Sequence, residues 1–255
     1  MVFVNSLNTI IGNKILSQII VFFAVLAIMF GILKFFKMLY DKKLDDNINS
    51  PYLLKGNKNA KNSFVVSQNP EDEGSVTLYR SDNENNGIEF SYTCWFLVDG
   101  YSYKHGQWKH MFHKGNSSAY PNSAPGVWLH PNENVLRIYM NTFDNIYEHA
   151  DIENIPIKKW VHLSIVVNQK YMDIYINGFL RKRKKMKSLI KQNFGDVWVN
   201  MFGGFEGYIS KLRYYRYAID FNSIDEIVRE GPSSDSCTDT GENPPYLDDN
   251  WWYDY

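Results

Sequence analysis

The run from Ile15 to Leu33 (ILSQIIVFFAVLAIMFGIL) carries no charged residue, and it restricts the folds open to this chain more than any other feature. As a helix rising 1.5 Å per residue it is about 28 Å long, close to the ~30 Å hydrocarbon core of a bilayer. From Ile19 to Leu33, eleven residues are Leu, Ile, Val or Phe. Each contributes roughly −0.3 to −0.6 kcal/mol at mid-membrane, so insertion is favourable by several kcal/mol. Two other readings stand beside a spanning helix. A cleaved signal peptide would need a small-x-small site where the chain has Lys34-Phe-Phe-Lys37. A buried core helix would show a polar stripe, and this run is apolar on every face.

Lys14 stands alone before the run, whereas Lys34, Lys37, Lys42 and Lys43 follow it. By the positive-inside tendency the large C-terminal part stays on the cytosolic side, although Asp41, Asp45 and Asp46 make the flank mixed. Cys94 and Cys237 are the only cysteines. Cys94 sits in a strand-like run as a small buried hydrophobe and Cys237 in a polar tail, so the pair gives little sign of a disulfide framework. The sequon Asn116-Ser-Ser118 matters only on a lumenal face.

About 200 residues follow the apolar run, enough for one sizeable core. A formal net charge of −1 argues against a dedicated nucleic-acid binder. The sequence divides into an N-terminal segment (1–14), a transmembrane helix (15–36), an Asn- and Lys-rich linker (37–63), a β domain (64–230) and an acidic, aromatic tail (231–255). Within the domain, short strand-like runs are predicted at 76–79, 88–98, 109–113, 127–130, 135–140, 160–167, 172–176, 179–182, 197–200 and 207–217, separated by turn clusters. Ile88, Phe90, Tyr92, Cys94 and Phe96 alternate with Glu89, Ser91 and Thr93, which buries one face. Asn177-Gly178 supplies the positive φ angles of a type I′ hairpin turn. Ser223-Ile-Asp-Glu226 has the capping-box spacing of a short helix reaching Arg229.

The ordered series KWVHLSIVVN, MDIYINGFLRK, FEGYISKLRYYRYAI and SIDEIV, within 89–230, resembles the laminin-G-like, concanavalin A-like lectin superfamily. The resemblance implies an all-β fold: a two-sheet antiparallel jelly-roll sandwich, here with one N-terminal transmembrane helix and a short C-terminal helix. APGVWLHPNENVLRIY, KQNFGDVWVNMFGGFEGYISKLRYYRYA and the Pro-Pro-Tyr-Leu tail ending in Trp-Trp are similar to membrane-anchored members from nucleocytoplasmic large DNA viruses. That likeness implies a virion membrane or minor capsid-associated component rather than an enzyme.

The same superfamily contains glycoside hydrolases, which need a carboxylate pair about 5 to 10 Å apart. Glu71-Asp72-Glu73 lies in a turn-like stretch, and Asp151-Ile-Glu153 reads as a solvated loop before Pro156, so no catalytic residue is assigned. His110 and His113 would point to opposite faces of a strand, and no metal ligand set closes around them. Calcium occurs in some family members; Asp99 or Asp144 is the candidate here, outside any motif, and no other cofactor is implied. A glycan needs an aromatic plate beside polar groups in a concave place, which nominates Trp108, Tyr120, Trp128, His130 and Asn132, against core packing for Trp128 and Trp108. Arg181, Lys182, Arg183, Lys184, Lys185 and Lys187 form a basic run able to hold anionic lipid or another polyanion, or simply a solvated hairpin end. Tyr246, Trp251 and Trp252 either fold back on the domain or dock into a partner. The whole describes a membrane-anchored, non-catalytic binding or structural protein. Its partners would be a lipid bilayer, virion or shell proteins and, in the alternative reading as an adhesin, glycans, with no specific nucleic acid.

Overall fold

The structure, a computed structural model, describes residues 2–81 and 87–234. It separates into two compact units, Met1–Asn47 and Ile48–Tyr255. The first is helix α1 (Val2–Asn49). Phe22, Phe23 and Phe36 are each more than half exposed, and none of its most apolar window is buried. That removes the core-helix reading and leaves a helix long and apolar enough to cross a membrane, a test that a signal sequence also passes. The helix runs through 37–49, where a linker was expected.

The second unit is a sandwich of two six-stranded antiparallel sheets. Its strands are β1 (Asn57–Asn59), β2 (Phe64–Val66), β3 (Glu89–Val98), β4 (Lys109–Gly115), β5 (Ser123–Leu129), β6 (Val135–Tyr139), β7 (His149–Glu153), β8 (Trp160–Asn168), β9 (Tyr171–Ile176), β10 (Phe179–Lys185), β11 (Asp196–Val199) and β12 (Gly207–Tyr215). One sheet has the order β1-β12-β3-β8-β9-β10, the other β2-β11-β4-β5-β6-β7. Alternate residues enter the space between them: Phe90, Tyr92, Cys94 and Phe96 from β3, Val161, Leu163 and Ile165 from β8, Val127 and Leu129 from β5, Leu136 and Ile138 from β6. Cys94 is a free thiol whose burial pushes its pKa up. The period-2 pattern therefore packs as the sequence predicts.

Three stretches differ from the sequence reading. Leu53, Leu54 and Ala60, inside the expected linker, join the core, and β1 pairs with β12. Residues 76–79 form no ladder. There the Gln68 side chain accepts from Leu78 N and donates to Val76 O, replacing strand partners. Asp151-Ile-Glu153, expected as a solvated loop, lies in strand β7.

Helix α2 (Phe221–Glu230) lies on the outer face of the first sheet, where Ile224 packs with Val166, Tyr215 and Ile219. Its N-cap is Asp220, whose carboxylate accepts from Ser223 N at 2.8 Å, in place of the expected Ser223 box. Tyr246, Trp251, Trp252 and Cys237 lie outside the described residues.

Two core tyrosines offer opposite expectations. Tyr214 OH donates to Tyr79 O (2.7 Å) and accepts from Gln192 Nε2 (2.9 Å), so Tyr214→Phe should cost about 1–2 kcal/mol. Tyr92 OH, buried beside it, has no hydrogen-bond partner among the described residues. Tyr92→Phe should be neutral or stabilising by up to about 1 kcal/mol. Chemical denaturation of the two variants checks the contrast in sign.

Candidate functional site

The second sheet turns its outer face into two cross-strand rows. Register places Trp198, His113, Gly126, Tyr139 and His149 in one row, and His110, Trp128, Arg137 and Asp151 in the next. Most of these rings touch. Trp198 stacks on His113 (6.4 Å, 11°), His110 meets the Trp128 edge at 4.5 Å, and Tyr139 meets His149 at 5.4 Å. Gly126 is the gap in this carpet, and a cleft of about 270 Å³ opens near it. Trp108, Tyr120, Trp128, Tyr139 and Tyr147 wall the cleft, with Ser118, Ser123 and Asn141 as its polar lining.

Three of the five nominated glycan residues thus meet: Trp108, Tyr120 and Trp128. His130 and Asn132 sit outside the lining. His130 packs edge-on to Trp108 (5.2 Å), and its Nδ1 accepts from Asn132 N and Glu133 N, which braces the β5–β6 turn. Tyr139, Asn141 and Tyr147, which the sequence did not nominate, complete the wall. Asn141 holds the cleft's shape: its Oδ1 accepts from Ser123 N, and its Nδ2 donates to Pro121 O and Ile146 O. Ser123 Oγ is buried without a hydrogen-bond partner among the described residues.

Beside the cleft, Phe202 lies over Trp128 (5.7 Å, 18°). It has φ 57°, an expensive conformation for an aromatic residue. Three bonds hold it there: Lys104 Nζ to Phe202 O, Tyr103 OH to Gly203 O, and Met201 N to His110 Nδ1.

His110 and His113 share one face, contrary to expectation. A bulge between His110 and Phe112 inserts Met111, so residues three apart come onto the same side. Their rings bond, Nε2 of His110 to Nδ1 of His113, at 2.7 Å. The tautomers follow from the ends of the chain. Met201 N–H occupies His110 Nδ1, so His110 donates from Nε2. His113 then accepts on Nδ1 and donates from Nε2 to Asn116 O (2.7 Å). Both imidazoles are neutral, and burial lowers both pKa values, for His110 with a second contribution from His113.

Asp151 is bound by Arg137 at both oxygens (2.7 and 2.6 Å), which lowers its carboxyl pKa, and the guanidinium lies 5.0 Å from the Trp108 ring centre. Asp99 follows β3 and Asp144 lies in the β6–β7 loop. Among the described residues no three His, Cys, Asp or Glu side chains gather as a metal site.

The basic run is strand β10 and its exit, an edge of the first sheet. Lys182 Nζ donates to Asp151 O (3.1 Å), Lys184 Nζ to His149 O, and Arg183 pairs with Asp173 at 2.7 and 2.6 Å. Arg181, Lys185 and Lys187 remain exposed, without ion pairs among the described residues.

A family model described as the concanavalin A-like lectin/glucanases superfamily, of laminin G type, matches residues 70–225. No curated protein matches. Among solved structures, the binding domain of botulinum neurotoxin serotype D is similar at 15% identity and a TM-score of 0.50, over 73% of this chain and 51% of that one. The receptor-binding domain of botulinum neurotoxin D in a further structure gives 14% identity and a TM-score of 0.49, over 70% of this chain and 46% of that one. The chain spans about half the length of these matches, and the serotype D binding domain at a TM-score of 0.50 shares its sandwich fold.

Proposed function

The chain belongs to the concanavalin A-like lectin/glucanases superfamily, and from that premise we propose that it is a non-catalytic binding module, carried on a membrane-spanning helix, that takes a carbohydrate ring in the cleft near Gly126. The observation that carries this reading is the lining of the cleft. Five aromatic rings and three small polar side chains surround it, with no carboxylate among them. Glycoside hydrolysis needs an acid with a raised pKa, whereas Asp151, the carboxylate in the neighbouring row, is held ionised by Arg137.

Its setting, in the same proposal, is a virion membrane or a minor capsid-associated position, where the domain tethers membrane to protein shell; the support is the likeness to viral membrane-anchored members. Lys34, Lys37, Lys42 and Lys43 favour a cytosolic side, while a glycan ligand calls for an outward one.

Glycan-array binding by the full chain in nanodiscs, with calcium and then with chelator, tests ligand class and calcium together. Saturable binding is expected, lost on Trp128→Ala. Tyr120→Ala or Tyr147→Ala, which remove exposed rings, should each weaken it by about 3- to 10-fold. Binding would turn the topology outward. Folded protein that binds nothing, or binds equally well in all three variants, would sink the cleft as a sugar site and leave the tether, to be sought by crosslinking to neighbouring proteins.

A further inference from the structure

One end of the sandwich leaves apolar side chains uncovered. Phe179 and Leu180, just past the Asn177–Gly178 turn, are 75% and 47% exposed, and Ile157, in the β7–β8 loop, is 40% exposed. The loop and the hairpin belong to the same end, because residues 152–156 line one groove of about 250 Å³ together with Ile176, Asn177, Phe179 and Arg181. Its floor is apolar, with Ile155, Pro156 and Ile176, and Arg181 stands in its wall.

The cations around this end sort into two sets. Lys182, Lys184 and Arg183 are spent on the protein itself, on two carbonyls and on Asp173. Lys158, Lys159 and Arg181 are exposed and carry no ion pair among the described residues. Glu153 is the one carboxylate lining the groove. Exposed apolar tips bounded by unpaired cations match the depth profile of an anionic bilayer surface, where apolar groups enter the acyl boundary while ammonium and guanidinium groups meet phosphates. A soluble polyanion would engage the cations and leave Phe179 in water.

We propose that this end of the sandwich is a contact site for an anionic bilayer, with Ile157, Phe179 and Leu180 entering the interface and Lys158, Lys159 and Arg181 holding lipid phosphates. The site goes beyond the sugar-binding reading, since it shares no residue with the cleft, and each can fail alone. It also shifts weight away from most of the basic run, to two lysines outside it.

The test uses the full chain with Cys237→Ser and Leu180→Cys, labelled there with an environment-sensitive fluorophore, Cys94 being buried. The protein is placed in proteoliposomes of phosphatidylcholine alone or with about 30% phosphatidylserine. A blue-shifted emission is expected only with phosphatidylserine, reduced about fivefold in occupancy by each of Lys158→Glu, Lys159→Glu and Arg181→Glu and abolished by the three together. Those residues are exposed, and an unchanged melting temperature certifies the fold. Equal shifts in both lipids, a shift that survives the triple reversal, or heparin binding with no lipid response would each overturn the proposal.

Discussion

Lowering the pH from 7 to 5 is expected to cost the sandwich about 2 kcal/mol through His162 alone, with His110 and His113 adding to the loss. His162 projects from β8 onto the outer face of the first sheet, fully buried against Trp95 at 5.1 Å, and neither ring nitrogen has a hydrogen-bond partner among the described residues. Burial lowers its pKa from 6.5 to about 4. The sign follows directly. Between pH 6.5 and 4 the unfolded chain binds a proton that the folded chain refuses, so stability is complete above 6.5 and drains away as pH falls. His110 and His113 act in the same sense, because a proton on His110 Nδ1 would displace the bond from Met201 N. At roughly 2–4 °C per kcal/mol, the melting temperature should drop by about 4–8 °C through His162. Melting curves of the detergent-solubilised chain between pH 7.5 and 4.5 measure the slope. His162→Gln, close in volume and unable to titrate there, should flatten it. An unchanged slope would show that this imidazole is not held neutral by the fold.

Gly207→Ala should prevent the domain from folding, a loss of more than about 3 kcal/mol. Gly207 opens β12 with φ 141°, and a Cβ there would overlap the Leu97 carbonyl oxygen of the paired strand. Neither side can move. Leu97 pairs on its other side with Trp160 of β8, and the Gly207 carbonyl accepts from Ala60 N at 2.9 Å. The glycine in the run FEGYISKLRYYRYAI is therefore a requirement for close strand approach. Gly74→Ala is the control. It also has positive φ, but a Cβ there meets nothing within 4 Å, so it should cost only about 1–2 kcal/mol. Yield of folded protein and near-ultraviolet circular dichroism separate the two. A folded Gly207→Ala domain would mean that β12 and β3 can part without loss of the core.

What the sequence revealed and what it hid follow from the range of each signal. The alternation in β3 and the Asn177–Gly178 hairpin are local, and both survive in the structure. The pairing of His110 with His113 depends on a bulge, and one inserted residue reverses which side chains share a face without leaving a mark in composition. Strand β7 reads as a loop because its acid, Asp151, looks solvated until Arg137, fourteen residues earlier in the chain, is placed opposite it. β1, with the sequence Asn-Lys-Asn, has no apolar pattern at all and exists through its pairing with β12. The cleft was half legible: Trp108, Tyr120 and Trp128 are conspicuous rings, whereas Tyr139, Asn141 and Tyr147 reach it from the next strand and its loop.

The four outermost strands have a consequence for how copies of this chain coexist. β1 and β2 are three residues long. β10 presents a row of cations, and two of its lysines reach across to cap the β7 carbonyls of Asp151 and His149. No border among the described strands is therefore both long and open, and the protein is insulated against the strand exchange and fibril growth that a bare sheet margin invites when molecules are crowded side by side.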